Sequence, residues 1–234
     1  MRAPSLKAGG FALELKSVSD STQQPKKTIV YIDGFNFYYG ALRNGKKRIG
    51  KKWLNIESWL LKIFKPAHYN INKIKFFTAK VSGTKSDPQK PVRQQVYFRA
   101  LKTIPKIEII FGNFIKRNIF INITDEVSIR AKAYEEKGTD VNIAAHIVND
   151  GHKGLYDTAI VVCNDSDIAD ALRIVTKELN LEVILVNPSK GNATVKLSTF
   201  ASFVKQVREG QLIASQFPQK MNDQRGEFSK PLSW

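Results

Sequence analysis

The sequence predicts an α/β domain built on a central, mostly parallel five-stranded sheet with helices on both faces. Three observations predict it. Five short runs rich in apolar residues recur along the chain. Segments with helical spacing lie between most of them. Several runs, DTAIVVC above all, are apolar without alternation, as strands buried on both faces must be. With 234 residues, 42% of them hydrophobic, the chain can bury one substantial core.

Residues 1–26 are rich in Ser, Gln and Lys and lack periodicity, and are expected to form a flexible leader. TIVYI at 28–32 is the first strand and ends at Asp33-Gly34. A short aromatic helix follows over 35–43, then the basic loop RNGKKRIGKK. Asn55 caps a helix over 56–64. Strands are expected at 73–79 and 106–111, with a helix over 91–103 between them. Residues 113–132 alternate short apolar runs with polar residues and read as a hairpin-like insertion. A helix over 139–149 buries Val141, Ala144, Ala145 and Val148. The strand 157–163, a helix over 168–179 and the strand 182–187 follow. A last helix over 197–208 closes the domain, leaving 209–234 as a tail.

Composition excludes several classes. A single cysteine, Cys163, rules out an internal disulfide and a thiolate zinc cluster, and its apolar surroundings suit a buried core residue. The three histidines form no tight ligand motif. No apolar run approaches the roughly 20 residues that cross a bilayer, and the first residues lack the apolar core of a secretory signal. A cytoplasmic protein without a membrane partner is expected.

Charge is the sharper signal. The formal net charge is +16. Residues 26–124 carry 21 Lys and Arg against 4 Asp and Glu, a net of +17, while residues 125–234 carry 13 against 15, a net of −2. Solvated faces usually mix both signs, and a single-sign excess attracts polyanions and releases their counterions. Lys46, Lys47, Arg48, Lys51 and Lys52 are expected to gather phosphates without reading sequence. For Tyr38, Tyr39 and Trp53, beside that loop, core packing is favoured over base stacking.

Against this basic background stand four acids. Asp33 ends the first strand, Asp165 and Asp167 follow the fourth, and Asp140 lies near the start of the intervening helix. In a parallel sheet, chemistry collects beyond the carboxyl ends of the strands. Crowded carboxylates repel and take up protons unless a cation neutralises them, and hard cations prefer carboxylate oxygen. Each acid has a plainer reading as a turn residue or helix cap. Asp33, however, is the sole acid between 26 and 56, so capping is a poorer account of the set. Asn36, one turn after Asp33, can bond a carboxylate or a phosphate.

YIDGFNFYYG, EEKGTDVNIAAHIV and VVCNDSDIADALR resemble the three signature blocks of NYN domains, which belong to the PIN-like nuclease superfamily and are also described as LabA-like or limkain-type. The resemblance covers roughly 27–208. It implies a three-layer α/β/α sandwich and a metal-dependent endoribonuclease using Mg²⁺ or Mn²⁺ on single-stranded RNA, with a homo-oligomer allowed. It carries the family's acidic positions onto Asp33, Asp140, Asp165 and Asp167 as metal-binding and catalytic residues, with Asn36, Glu136 and Ser166 in support. The third block usually reads Ser-Gly-Asp-Ser-Asp-Phe, and Asn164 stands here in the place of its glycine. Two alternatives remain open: a non-catalytic RNA- or protein-binding regulatory domain, and an NADH-dependent hydroxylase of a pyridine-type small molecule. The chain has no G-x-G-x-x-G to support a dinucleotide site of the Rossmann kind.

Overall fold

A computed structural model describes residues 24–43, 50–122 and 128–234, with 113–122 and 128–137 described as backbone. The central strand β1 (Lys26–Asp33) is buried along its last six residues. It continues into α1 (Gly34–Phe37) and a wider π-helical turn, Tyr38–Leu42. Next come α2 (Ile56–Ile63), β2 (Tyr69–Thr78), α3 (Lys90–Leu101) and β3 (Ile107–Phe111). The antiparallel pair β4 (Asn113–Asn122) and β5 (Ser128–Lys137) forms a separate two-stranded sheet, so the hairpin-like insertion is present and reaches Lys137. The second half runs through α4 (Thr139–His152), β6 (Thr158–Val162), a 3₁₀ turn (Ser166–Ile168), α5 (Ala169–Arg173), a second π-helical turn (Ile174–Glu178) and β7 (Glu182–Asn187).

The main sheet has six strands, one more than the sequence predicts. The helix expected over 197–208 is a four-residue α6 (Val195–Ser198) followed by the edge strand β8 (Phe203–Gln206), which pairs in parallel with β7. Short apolar runs do not distinguish helix from strand by periodicity, and FVKQ gains its ladder only from β7. The segment 209–234, expected to be a tail, holds α7 (Glu209–Ile213) and the hairpin β9 (Lys220–Asp223) and β10 (Gly226–Ser229). Leu212, Phe217 and Phe228 from this segment are buried in the core beside Trp53.

Burial on both faces explains the unbroken apolar strands. Val30 and Ile32 of β1, Ile160 and Val162 of β6, and Ile184 and Val186 of β7 point into one hydrophobic cluster with Phe37, Trp59 and Leu101. The intervening residues Ile29, Tyr31, Ala159, Val161, Val183 and Leu185 point into a second, covered by Ile143 and Ile147 of α4 and Leu172 of α5. The period of two along a strand thus fills both layers. No helix among the described residues is long and apolar enough to cross a membrane.

Strand order is β3-β2-β1-β6-β7-β8, parallel throughout. From β1 the chain winds outward through β2 to β3, then returns to β6 on the other side of β1 and winds outward again. The reversal falls between β1 and β6, and a crevice opens beyond the carboxyl ends of such a pair. Asp33 and Cys163 stand at those two ends, one step past the paired residues Ile32 and Val162.

Candidate functional site

Asp33 is the last residue of β1 and the N-cap of α1. Its Oδ1 accepts from the backbone N–H groups of Phe35 at 3.0 Å and Asn36 at 2.9 Å. The carboxylate is 5% exposed, so the chain buries a charge at the sheet's end and stabilises it with backbone donors. Gly34 permits this turn, since a Cβ there would stand 2.7 Å from the Phe77 carbonyl oxygen.

Asp165 ends the β6 crossover in the same manner, its Oδ1 accepting from Asp167 N–H at 3.1 Å as the 3₁₀ turn begins. Cys163 lies between the two caps. Its Sγ accepts from Asp165 N–H at 3.2 Å and stands 3.7 Å from Asp33 Oδ2. Burial first, then the carboxylates of Asp33, Asp165 and Asp140, push the Cys163 thiol well above its usual range. Asp33 and Asp165, from two chain segments, thus flank one buried sulfur atom. Asp140 lies in the first turn of α4, after Gly138, whose φ of +94° sets the entry to that helix.

Asn36 bonds Asp33 through its backbone N–H, while its side-chain Oδ1 accepts from Asn164 N–H at 2.9 Å and ties the end of β1 to the end of β6. Asn164 continues the chain of bonds, its Oδ1 accepting from Thr194 N–H at 2.8 Å and from the Thr194 hydroxyl at 3.0 Å. The loop after β7 is thereby fixed to the crevice. Thr194 was not signalled by the sequence, and the one hint of the Asn164 anchor was that residue's departure from glycine in the third block.

The remaining predicted residues are less convergent. Asp167 is exposed and lines the groove between α4 and α5 with His152 and Asp170. Ser166 opens the 3₁₀ turn. The Glu136 side chain, and all of Lys46, Lys47 and Arg48, lie outside the described residues. Lys51, expected on an exposed basic loop, is instead 8% exposed with its ammonium 2.8 Å from Glu209, because the ordered 209–234 segment folds over it. Lys52 is half-buried, 5.9 Å above the Tyr38 ring. Trp53 is fully buried and Tyr39 is exposed, so core packing holds for the first and not the second. Among the described residues no three His, Cys, Asp or Glu side chains already stand in a coordinating group.

Known proteins match this architecture. The chain is 31% identical to 6-hydroxy-3-succinoylpyridine 3-monooxygenase of Pseudomonas putida, over 90% of this chain and 76% of that protein. A crystal structure of a protein of unknown function from Vibrio parahaemolyticus shares the fold at a TM-score of 0.52 and 14% identity, covering 80% of this chain and 95% of that one. The NYN domain matches residues 27–207, the span that holds β1, the acidic crevice and the strands behind it. The chain belongs to the NYN domain family, with its PIN-like, nuclease-type fold.

Proposed function

We propose that this chain is a metal-dependent endoribonuclease, and the placement of Asp33 and Asp165 just beyond the carboxyl ends of the adjacent strands β1 and β6 of an NYN-family fold supports that reading. The donor set is all carboxylate oxygen, the chemistry that Mg²⁺ and Mn²⁺ take. Mg²⁺ needs only one or two carboxylates and keeps several waters, so a closed three-ligand cage is not required. Asp33 and Asp165 would hold the ion from the two strand ends, with Asp140 of α4 as the further acid that the family resemblance suggests. Such an ion, when bound, lowers the pKa of a coordinated water and offsets charge on a phosphodiester. The chain's own residues do the rest. Asn36 holds the two strand ends in register through Asn164. The backbone N–H groups at Phe35 and Asn36 fix the Asp33 carboxylate. Cationic side chains of the first half attract the RNA backbone.

Asp33→Asn tests this directly, because asparagine keeps a capping oxygen and removes the charge. Cleavage of single-stranded RNA with Mg²⁺ or Mn²⁺ should fall by about 100-fold or more, since even partners outside a metal's own ligands are worth about 10–100-fold. Parent-level cleavage by the variant sinks the reading.

The likeness to a pyridine monooxygenase favours a second reading, oxygenation of a small aromatic substrate with NADH as the electron donor. Similarity of fold does not fix chemistry. NADH oxidation that depends on a hydroxypyridine substrate, without RNA cleavage, would select it.

A further inference from the structure

We propose that the cavity beside α1 is a binding site for a single six-membered aromatic ring carrying an anionic group. The site stands whichever reaction the acidic crevice performs, because it is built from different side chains. It encloses about 160 Å³, lined on one side by Gly34 and Phe35, the two residues after Asp33. An apolar cavity of roughly 150 Å³ holds one benzene ring. A ring of that size fits here.

Aromatic rings make the walls. Phe76 rises from β2, Tyr38 from the π-helical turn, Tyr97 from α3 and Trp234 from beyond β10. Tyr97 and Trp234 meet edge to face at 5.7 Å, which fixes both ring planes. Flat faces of this kind hold a planar guest by stacking.

The rim supplies the charge selection. Lys52, Lys90 and Arg93 reach the cavity against one acid, Asp87. Arg93 is bonded to Asp87, which leaves two positive charges without a carboxylate from the lining. Lys52 lies over the Tyr38 ring, and burial holds its ammonium below the usual range. A desolvated cation gains when an anion arrives beside it. The polar lining residue Gln94 is already committed, its amide accepting from Val81 N–H and donating to the Ala79 carbonyl, so it frames the wall and leaves recognition to the cations.

Two sources could supply such a ligand, a small aromatic acid or a pyrimidine nucleotide of a nucleic acid. Titration of the full chain, followed by tryptophan fluorescence, separates them. Benzoate and uridine 5′-monophosphate are the charged probes; benzamide, uridine and inorganic phosphate are the controls. At least one charged ring should bind about tenfold or more tighter than its uncharged counterpart and than phosphate, since charge-assisted bonds are roughly twice as strong as neutral ones. Preference for benzoate names the small acid, and preference for the nucleotide names the nucleic acid. Lys52→Met and Lys90→Gln should each weaken the charged ring and leave the uncharged one unchanged; Lys90, at the start of α3, carries the test if Lys52→Met fails to fold. Equal binding of charged and uncharged rings, no ring binding, or phosphate binding as tightly as the charged rings would overturn the site.

Discussion

Asn164 occupies the position where the third NYN block usually has glycine, and its side chain explains why glycine is absent. It accepts two bonds from Thr194 while its own N–H is held by Asn36. One residue thus joins the ends of β1 and β6 to the loop after β7. Asn164→Gly should lower unfolding free energy by about 1–3 kcal/mol, because the Thr194 donors lose their acceptor and the unfolded chain gains freedom. Urea denaturation measures it, and an unchanged midpoint would show that the loop does not depend on this anchor. The places of Asp33 and Asp165 at strand ends were legible in the sequence because each follows an apolar run. Asp33 and Asp165 are indeed caps, the plainer role that the sequence allows beside that of candidate ligand, and what their spacing did not reveal is Cys163 between them. Both roles are compatible, since the caps use Oδ1 in each case.

At the scale of elements, α4 is pinned to the sheet by a buried polar cluster that sequence patterning concealed. Lys75 of β2 and Asp150 of α4 stand 2.5 Å apart at 5% and 3% exposure, and the Tyr31 hydroxyl donates to the same carboxylate oxygen at 2.8 Å. His146, one turn earlier, lies 3.0 Å from the lysine, and burial together with the Lys75 charge holds its imidazole below the usual range. Periodicity assigns Val141, Ala144, Ala145 and Val148 to the buried stripe of this helix, yet Val141 is 72% exposed, Ala145 is exposed, Ala144 and Val148 are half-buried, and Ile143, Ile147 and Asp150 are the buried residues. A polar residue on the inner stripe misdirects a hydrophobic count, whereas β1, β6 and β7 were legible because both of their faces are apolar. Asp150→Ala should destabilise the domain by about 3–5 kcal/mol by stranding a buried ammonium. Lys75→Met combined with Asp150→Leu should restore much of that loss, because no unpaired charge remains. Thermal unfolding of the single and double variants decides it: equal losses in the two would mean the ion pair is not what holds the helix.

Across the whole molecule, the strand order sorts the charge. Residues 26–124 carry a net of +17 and contribute β1, β2 and β3, one half of the main sheet. The acid-bearing second half contributes β6, β7 and β8. The crevice therefore lies on the seam, with the strands of the cationic half on one side and Asp165, just after β6, on the other. On the cationic side a groove of about 770 Å³ runs between α3 and the β9–β10 hairpin, lined by Lys80, Arg99, Lys102 and Arg225. Arg99 is held by Asp223 in a two-pronged bond with both distances at 2.6 Å, which keeps the Asp223 carboxyl at about 2. Lys80 and Lys102 are exposed, and on the proposed RNA reading they would be the phosphate contacts. For a single strand, the logarithm of affinity falls with the logarithm of salt concentration at a slope of roughly 0.7 per neutralised phosphate. Fluorescence anisotropy with a labelled oligoribonucleotide should give such a line. Lys80→Gln and Lys102→Gln should each flatten it by about 0.7 and weaken binding alike for every RNA sequence. A slope left intact in both variants would place the RNA elsewhere on the surface, and an affinity indifferent to salt would remove RNA from the molecule's partners altogether.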